Sequence, residues 1–568
     1  MCGIAGVYYF NESRVDTQKA QLMCDVMAHR GPDGGGSWSN QSENIRLLHR
    51  RLSIIDLSDA ASQPMISDDA STVIAFNGEI YNYIEIRNEL IGLGVSFKTN
   101  SDTEVLLKSY MQWGVKCLSH LNGMFAFAIW DEPKQELFCA RDRFGEKPFH
   151  YYHAEDCFVF ASEIKSIKAY LPNIKIDHSK LQSYLDERFV MDNTTTFFEN
   201  INALDPASYL IVSKSKFEKK VYWSIELKEV KLNFDESREK FISLFNKSIQ
   251  LRLRSDVPVG SSLSGGLDSS SIVCSLNKLG VGNMQTFSAR FKSELDEGKW
   301  IKDVTDKTSY VNNEVWPEPS AFLTELEKMV WHHEYPPGSA SVFAQWCVMK
   351  LPRTKGVKVL LDGQGADEYL AGYDELKYYA LWEHYQKGNF RKFFEERNHF
   401  KKHYGKDKSI GYAFLIDPIL KVFGKKREVF KNGHSLKQVL KYYTENKLNE
   451  LLRYADRNSM ANSIEVRLPF LDHHLVEFVF SLPMTHVYNH GKTKYILRES
   501  MKNVLPDSIY NRTDKIGFAP PQNSWMKTDL VRDVVSTSKN ELINSGFKAS
   551  KNDYRNLVAY YFIKSFAE

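Results

Sequence analysis

No stretch of this sequence reaches about 18 consecutive apolar residues, so it offers no candidate for a membrane-spanning helix. The N-terminal residues also lack the apolar core of a secretory signal peptide. The formal net charge is +3 over 568 residues, which gives no reason to expect nucleic acid or a membrane surface as a partner. We therefore expect a cytoplasmic protein without a nucleic-acid or membrane partner.

Cysteine is scarce and irregularly spaced. The seven cysteines form no Cys-x-x-Cys pair and are odd in number, which argues against a disulfide framework and against a zinc site. Such usage is typical of proteins in a reducing cytoplasm. The sequence also contains no internal repeat and no low-complexity tract. The cysteines are Cys2, Cys24, Cys117, Cys139, Cys157, Cys274 and Cys347.

The remaining composition, with 43% hydrophobic and 26% charged residues, is ordinary for a globular protein able to bury a large core. Residues 2–212 contain strand patterns such as 123–130, interrupted by helices, which predicts an α+β domain built on an antiparallel sheet sandwich. The weakly patterned, Lys-rich segment 213–235 is predicted to be a linker. From 236 to 568, strands alternate with helices, which predicts a doubly wound α/β domain.

Cys2 lies directly behind the initiator Met1 and is followed by three small or apolar residues. Removal of Met1 would leave one residue with both a thiol and a free α-amino group. The amine has a reference pKa of about 8 and is able to accept the thiol proton. Nucleophiles activated in this way carry out acyl transfer. Taken alone, Cys2 would more often be a small apolar residue that enters a strand.

Four further motifs change that balance. Glutamine carries an α-carboxylate that suits the fork of Arg51, and an α-ammonium that suits the carboxylates of Glu79 and Asp102. Its side-chain carbonyl becomes an oxyanion on attack, and Asn77 and Gly78 offer an amide group and an unobstructed backbone N–H. The motifs are His29-Arg30-Gly31-Pro32-Asp33-Gly34, Arg51-Leu52-Ser53-Ile54-Ile55-Asp56, Asn77-Gly78-Glu79-Ile80-Tyr81-Asn82 and Ser101-Asp102-Thr103-Glu104.

In order and spacing, these motifs resemble the glutaminase domain of the N-terminal-cysteine amidotransferases. The resemblance implies that Cys2 is the catalytic nucleophile and that Asn77 and Gly78 stabilise the oxyanion. It further implies a set of glutamine-binding residues, which are Arg51, Leu52, Ser53, Ile54, Ile55, Asn77, Gly78, Glu79 and Asp102.

A second site is predicted at 264–270, where Ser-Gly-Gly-Leu-Asp-Ser-Ser stands between an apolar strand and an apolar-faced helix. A Ser/Gly-rich loop at a helix N-terminus holds phosphate through backbone N–H groups. The loop lacks the Lys of a Walker-type P-loop, so such an NTPase is not indicated. It resembles the pyrophosphate loop of ATP pyrophosphatases, enzymes that cleave ATP between its α and β phosphates.

The segment 362–368, Asp-Gly-Gln-Gly-Ala-Asp-Glu, follows a continuous apolar run of the parallel-sheet kind. Gly-x-Gly at the carboxyl end of such a strand is where open α/β sheets bind ligands. Asp268 and Asp367 are therefore predicted to hold Mg²⁺ against the phosphates. The alternative for Asp367 and Glu368 is a favourable acidic first turn of the next helix, which does not exclude metal contact.

Together the two halves resemble the glutamine-hydrolysing asparagine synthetase family over essentially the full chain. Segments 453–461 and 465–472 are close to the family's synthetase signature, and 494–498 resembles the helix that carries its catalytic Lys. Lys494 and Arg498 are expected to share a helix face. The resemblance implies ATP-binding residues, which are Leu263, Ser264, Gly265, Gly266, Leu267, Asp268, Ser269, Ser270, Ala289, Asp362 and Gly363.

One departure concerns the acceptor substrate. The family usually has Glu at the position of Gln364, where it assists formation and amidation of the acyl-adenylate. Gln364 keeps the shape and hydrogen bonding of Glu but cannot act as a base or carry charge. We assign it a catalytic position and expect aspartate as the acceptor. The alternative is another carboxylate, such as a sugar uronate in surface-polysaccharide biosynthesis.

The resemblance implies two linked reactions, with ATP and Mg²⁺ as cofactors and a homodimer as an open expectation. Cys2 forms a glutamyl thioester and releases ammonia; ATP converts the acceptor carboxylate to an acyl-adenylate; ammonia then displaces AMP. Two rival hypotheses are a glutamine-independent condensing enzyme and a catalytically silent scaffold. The intact glutaminase motifs argue against the first, and the intact 264–270 loop, Asp367 and Lys494 argue against the second.

Overall fold

The computed structural model describes residues 2–187, 192–294, 296–404, 435–513 and 520–567. Within these ranges the strands are β1 Gly3–Tyr9, β2 Gly34–Ser39, β3 Ile45–Arg51, β4 Met65–Ile66, β5 Thr72–Ile80, β6 Gly123–Asp131, β7 Glu136–Arg141, β8 His150–His153, β9 Cys157–Ala161, β10 Ile201–Ala203, β11 Ser208–Ser213, β12 Lys216–Val221, β13 Val259–Ser262, β14 Gln285–Ala289, β15 Val311–Val315, β16 Val359–Leu361 and β17 Glu465–Arg467.

The α-helices of the N-terminal half are Thr17–Asp25, Tyr83–Gly92, Asp102–Trp113, Ile164–Tyr170 and His178–Leu185. Those of the C-terminal half are Phe234–Arg252, Leu267–Lys278, Gly298–Thr308, Pro319–His333, Ser341–Thr354, Ala366–Tyr369, Asp374–Gln386, Phe390–Tyr404, Leu436–Tyr442, Leu448–Met460, His473–Ser481, Met484–Val487, Tyr495–Met501, Asp507–Tyr510, Gln522–Trp525, Asp529–Asn544 and Asp553–Phe566. No helix within the described ranges combines the length and hydropathy that a membrane crossing needs.

The N-terminal half is a sandwich of two antiparallel sheets. In the described residues, one sheet has the order β10-β8-β9-β1-β3-β2 and the other β12-β11-β7-β6-β5-β4. Alternation along β1 shows why both faces are covered: Ile4 and Tyr8 enter the core between the sheets, whereas Ala5 and Val7 pack on the opposite face. The predicted α+β fold of this domain is confirmed.

Helices cover the outer faces of the sandwich. Met23 and Ile164, from two helices of the N-terminal half, share a hydrophobic cluster with the outward residues of β1. Leu106, on helix Asp102–Trp113, packs with Phe76 of β5 on the other side. Strands β1 and β5, which carry Cys2 and Asn77 at or near their ends, are therefore held rigidly from both sides.

The C-terminal half is built on a parallel sheet. Within the described residues its order is β15-β14-β13-β16-β17, and every neighbouring pair is parallel. β13 is followed by helix Leu267–Lys278 and β14 by helix Gly298–Thr308. The strand order reverses beside β13, which is the switch point where open α/β sheets bind ligands. The predicted α/β fold of this domain is confirmed.

Candidate active sites

Cys2 lies directly before β1, and its backbone is anchored at both ends. The Cys2 nitrogen donates a hydrogen bond to Oδ1 of Asn77 at 3.0 Å, and its carbonyl accepts one from Nε of Arg30 at 3.0 Å. The thiol is buried, which raises its pKa, although a hydrogen bond from the backbone of Leu52 acts in the opposite direction. Met1, whose removal the sequence predicts, lies outside the described residues.

Asn77 and Gly78 form a corner of the site on β5. Because Oδ1 of Asn77 accepts from Cys2, its Nδ2 is the remaining polar atom, and this atom is buried without a hydrogen-bond partner among the described residues. An unsatisfied buried donor is costly unless a ligand uses it. At Gly78, with φ of 155°, a Cβ would lie 2.1 Å from the carbonyl oxygen of Met124. Only glycine fits this position.

Arg51 is the first residue of the predicted glutamine-binding segment, and its side chain also stabilises the conformation of the chain that follows. Its guanidinium donates to the carbonyl oxygen of Ser58 at 2.8 Å and to that of Asp56. The Ser53 backbone N–H donates to Oδ2 of Asp33 at 2.9 Å. Sequence analysis assigned Arg51 to the substrate carboxylate and missed this structural role, because carbonyl partners leave no residue pattern. The apolar residues of the segment share a hydrophobic cluster with Val359; they are Leu52, Ile54 and Ile55.

The two predicted ammonium-binding acids are both withdrawn from solvent. Burial raises the pKa of Asp102 to about 6, and its Oδ2 accepts a hydrogen bond from the backbone of Ile80 at 2.9 Å. Burial and the neighbouring Glu465 raise the pKa of Glu79 well above its usual value, although Arg467 lies 3.4 Å from its Oε1. A cationic ligand would restore the charged form of both acids.

The raised pKa of Asp102 gives a testable pH dependence. We expect kcat/KM for glutamine hydrolysis to fall as the pH drops through about 6, because protonation removes the negative charge offered to the α-ammonium. An ordinary Asp would lose its charge only near pH 4. The measurement is a pH profile of glutamine hydrolysis for the wild type and for Asp102→Asn. An unchanged acid limb in Asp102→Asn would contradict the assignment.

The phosphate loop follows β13 and ends in helix Leu267–Lys278. It opens into a cavity of about 610 Å³. Most of the predicted ATP-binding residues line this cavity, namely Ser264, Gly266, Leu267, Asp268, Ser269, Asp362 and Gly363. The other four are not among the lining residues: Leu263 and Ser270 are fully buried, Ala289 ends β14, and the Gly265 carbonyl accepts a hydrogen bond from Arg512 at 2.9 Å.

Lys494 brings the two predicted metal-binding acids together. Its Nζ lies 2.5 Å from Oδ2 of Asp268 and 2.7 Å from Oδ1 of Asp367. Burial alone would lower the pKa of Lys494, but the two carboxylates outweigh it and raise that pKa. The expectation that Lys494 lies within a helix is wrong: the helix begins at Tyr495, and Lys494 adopts φ of 52° just before it. This left-handed conformation, unusual for Lys, turns the amine toward the acids.

The donor set of Asp268 and Asp367 fits Mg²⁺ bound to nucleotide phosphates. Mg²⁺ commonly takes one or two carboxylates and completes its shell with phosphate oxygens and water. No group of three or more His, Cys, Asp or Glu side chains suited to a metal occurs among the described residues. A metal here would therefore depend on the phosphates of ATP for the rest of its ligands.

Gln364 faces the same cavity, where the sequence predicted the acceptor site. Its backbone N–H donates to Oδ1 of Asp362 at 3.0 Å, and burial raises the pKa of Asp362. Several lining residues were missed by sequence analysis, because they are single polar or aromatic positions, spread over distant parts of the chain, that form no recognisable motif. They include Ser339, Ser341, Gln345, Tyr373, Lys377, Arg512 and Gln522.

The two sites lie at opposite ends of one sheet. Leu52 and Ile54 of the glutaminase segment pack against Val359, at the amino end of β16. The Ile54 carbonyl accepts a hydrogen bond from the backbone of Asp256 at 3.0 Å, three residues before β13. The phosphate loop and Asp362 follow the carboxyl ends of these same strands. At about 3.3 Å per residue, strands of three or four residues separate the edges by about 10–13 Å.

Comparison with known proteins matches both halves of the chain. Residues 1–223 match the glutamine amidotransferase domain family, and residues 240–557 match the asparagine synthase family. Asparagine synthetase (glutamine-hydrolyzing) 1 of Bacillus subtilis is 33% identical, over 95% of this chain and 91% of its own. Amidase chry2 of Gibberella zeae is 28% identical, over 93% of this chain and 89% of its own.

Among solved structures, a glutamine phosphoribosylpyrophosphate amidotransferase of B. subtilis aligns with a TM-score of 0.30 and 13% identity, over 64% of this chain and 82% of that chain. Similarity at this level carries no argument. The two family matches and the full-length relatives agree with the geometry of a cysteine-based glutaminase site joined to a nucleotide site. The chain belongs to the asparagine synthetase family and is an ATP-dependent ligase that uses glutamine.

Proposed function

We propose that the chain is a glutamine-hydrolysing asparagine synthetase. It would convert ATP, L-aspartate, L-glutamine and water to AMP, diphosphate, L-asparagine and L-glutamate. The observation that carries the proposal is the packing of the glutamine-binding segment, through Leu52 and Ile54, on the amino end of β16, whose carboxyl end leads to the nucleotide cavity. The B. subtilis relative named for this activity covers nearly the whole chain.

In the glutaminase half, Cys2 attacks the side-chain amide of glutamine and expels ammonia, and water hydrolyses the resulting thioester. The hydrogen bond between the Cys2 nitrogen and Asn77 supports this role, because after loss of Met1 that nitrogen is the α-amine that accepts the thiol proton. The buried Nδ2 of Asn77 and the backbone N–H of Gly78 are the proposed donors to the oxyanion. Glu79 and Asp102 receive the α-ammonium of glutamine, and Arg51 receives its α-carboxylate.

In the synthetase half, the acceptor carboxylate attacks the α-phosphate of ATP, which gives an acyl-adenylate and diphosphate. The loop 264–270 holds the phosphates, and Lys494 neutralises charge that develops as they separate. Asp268 and Asp367 would hold Mg²⁺, which supplies further positive charge to the leaving diphosphate. Ammonia then displaces AMP from the adenylate.

Ammonia must pass from one edge of the sheet to the other without meeting bulk water. In water at neutral pH it would be protonated to ammonium, which has no lone pair for attack. The tight packing of Leu52 and Ile54 on Val359 supports a sealed junction between the domains. The proposed route is therefore short and follows the strands from Cys2 to the cavity.

Two observations favour a second candidate, amidation of a carboxylate other than aspartate. Gln364 presents a neutral amide to the cavity where the family usually has a carboxylate. In addition, relatives that match over most of the chain are named amidases rather than asparagine synthetases. In this candidate the reaction type is the same and only the acceptor differs, for example a sugar uronate.

Exchange of ³²P-labelled pyrophosphate into ATP separates the two candidates. If aspartate is the acceptor, it should stimulate exchange in the wild type, and a neighbouring acid such as Asp362 or Glu368 would supply the missing carboxylate. A panel of carboxylic acids that includes uronates should then give no greater stimulation. Stimulation by a uronate and none by aspartate would replace asparagine synthesis with the second candidate.

The substitution Gln364→Glu sharpens that comparison. If aspartate is the acceptor, we expect aspartate amidation in Gln364→Glu to be equal to or faster than in the wild type, because a base is restored beside the reacting carboxylate. If another acid is the acceptor, the substitution should not create activity with aspartate. Exchange that aspartate fails to stimulate in both proteins would rule out asparagine synthesis.

A further inference from the structure

Arg30 joins the two domains through an ion pair that is removed from solvent. Its Nη1 and Nη2 donate to Oδ2 and Oδ1 of Asp456 at 2.9 and 3.0 Å. The Arg30 side chain is 0% exposed and that of Asp456 is 2% exposed. Burial alone would raise the pKa of Asp456, but Arg30 outweighs it and keeps that pKa below its usual value. Two parallel hydrogen bonds fix the plane of the guanidinium as well as its position.

The same guanidinium holds the nucleophile residue. Nε of Arg30 donates to the carbonyl oxygen of Cys2 at 3.0 Å, on the opposite side of Cys2 from its anchor on Asn77. Nη1 of Arg30 also donates to Glu163 at 2.9 Å. Loss of Asp456 would therefore leave Arg30 paired with Glu163 but without the two parallel hydrogen bonds that fix the plane of its guanidinium against Cys2.

We infer that Asp456 is a positioning residue for glutamine hydrolysis, supplied to the glutaminase site by the synthetase domain. The inference rests on the proposed role of Cys2 as the nucleophile. Asp456 orients Arg30, and Arg30 fixes the carbonyl of Cys2, so the direction in which the thiol attacks depends on a residue more than four hundred positions away in the sequence. Displacement of a reacting group by about 1 Å costs on the order of 10²-fold in rate.

Attachment of the domains to each other is the competing explanation for this pair. A buried ion pair is weak evidence for stability, because the cost of removing two charges from water offsets their attraction. The boundary already contains other polar contacts, including an ion pair of 2.6 Å between Arg254 and Glu85, whose side chain is 54% exposed. That pair does not touch Cys2, so it provides a matched control.

Helix Leu448–Met460, which carries Asp456, also reaches the nucleotide cavity. Leu451 and Tyr454 line that cavity from the same helix. One rigid element therefore contacts both reaction sites. The position of Asp456 on it gives the synthetase domain a direct structural role in the chemistry of the glutaminase domain.

The test compares Asp456→Asn with the control Glu85→Gln in the full-length protein. For Asp456→Asn we expect kcat for glutamine hydrolysis, measured without acceptor, to fall about 10- to 100-fold with a smaller change in KM. Pyrophosphate release driven by ammonium chloride, ATP and aspartate should stay near that of the wild type. Glu85→Gln should leave both reactions unchanged. If the wild type itself fails to hydrolyse glutamine, the proposed function fails rather than this inference.

A double-mutant cycle with Arg30→Lys distinguishes positioning from general stabilisation. Lysine lacks the planar fork that Asp456 orients. Adding Asp456→Asn to Arg30→Lys should therefore cost much less than it costs in the wild type. If the two substitutions lowered kcat independently, so that their fold losses multiplied in the double variant, the inference would be overturned. Equal losses of glutamine hydrolysis and ammonia-driven pyrophosphate release in Asp456→Asn, or wild-type kcat in that variant, would also overturn it.

Discussion

Replacement of Cys2 by Ala is expected to reduce glutamine-dependent amidation to background, a loss on the order of 10³-fold or more, while ammonia-dependent amidation stays largely intact. In the proposed mechanism the thiol serves only the release of ammonia, whereas the nucleotide cavity lies at the edge of the parallel sheet opposite to the glutamine-binding segment. The measurement is amide and pyrophosphate formation with glutamine or with ammonium chloride as the nitrogen source.

An N-terminal extension that cannot be removed provides the control for this experiment. It leaves the thiol in place but converts the nitrogen held by Asn77 into an amide, which cannot act as a base. We expect this protein to show the same selective loss as Cys2→Ala. If Cys2→Ala lost both nitrogen sources equally, with unchanged thermal unfolding, the assignment of the two reactions to separate sites would be wrong.

The α+β fold of the N-terminal domain and the α/β fold of the C-terminal domain could both be predicted from local sequence patterns. The apolar run 123–130 predicted a strand, and the structure has β6 at Gly123–Asp131. Strand β16 is a short apolar run, and both β13 and β16 are followed by Gly-containing loops, which is typical of a parallel sheet with a ligand at its carboxyl edge. Such local patterns predict elements well because periodicity and turn chemistry are encoded by neighbouring residues.

Contacts between distant residues could not be predicted in the same way. Arg30 and Asp456 each stand in a recognisable motif, but nothing in either motif states that the two side chains meet. The conformation of Lys494 was also unexpected, because a helical spacing from Lys494 to Arg498 is equally compatible with a residue just outside the helix. In the structure, Lys494 lies outside the helix, where its amine contacts the carboxylates of Asp268 and Asp367.

The burial of individual side chains could not be predicted from the sequence either. The pKa of Asp102 rises to about 6 because the folded domains cover it, and no pattern around Asp102 indicates that covering. The acceptor, the domain boundaries, the site assignments, the homodimer and the cytoplasmic location stay predictions. The Cys2 experiment addresses the glutaminase half, and a second set of variants addresses the nucleotide half.

Substitution of Asp268 or Asp367 by Asn is expected to suppress ATP turnover on the order of 10²-fold or more, while glutamine hydrolysis stays near that of the wild type. Each change removes a carboxylate that lines the cavity proposed to hold the phosphates and that Lys494 contacts within 2.7 Å. Lys494→Ala should have an effect of similar size, because it removes the cation that we propose neutralises the charge developing on the leaving diphosphate.

Asp306→Asn is the matched control, since Asp306 forms an exposed i,i+4 ion pair with Lys302 outside the cavity lining. Pyrophosphate release and glutamine hydrolysis should both be unchanged in that variant. A further distinction comes from Mg²⁺ titration: if the two acids hold the metal, Asp268→Asn and Asp367→Asn should need more Mg²⁺ for half-maximal activity, whereas Lys494→Ala should not. Wild-type rates of pyrophosphate release in both Asn variants would overturn the metal assignment.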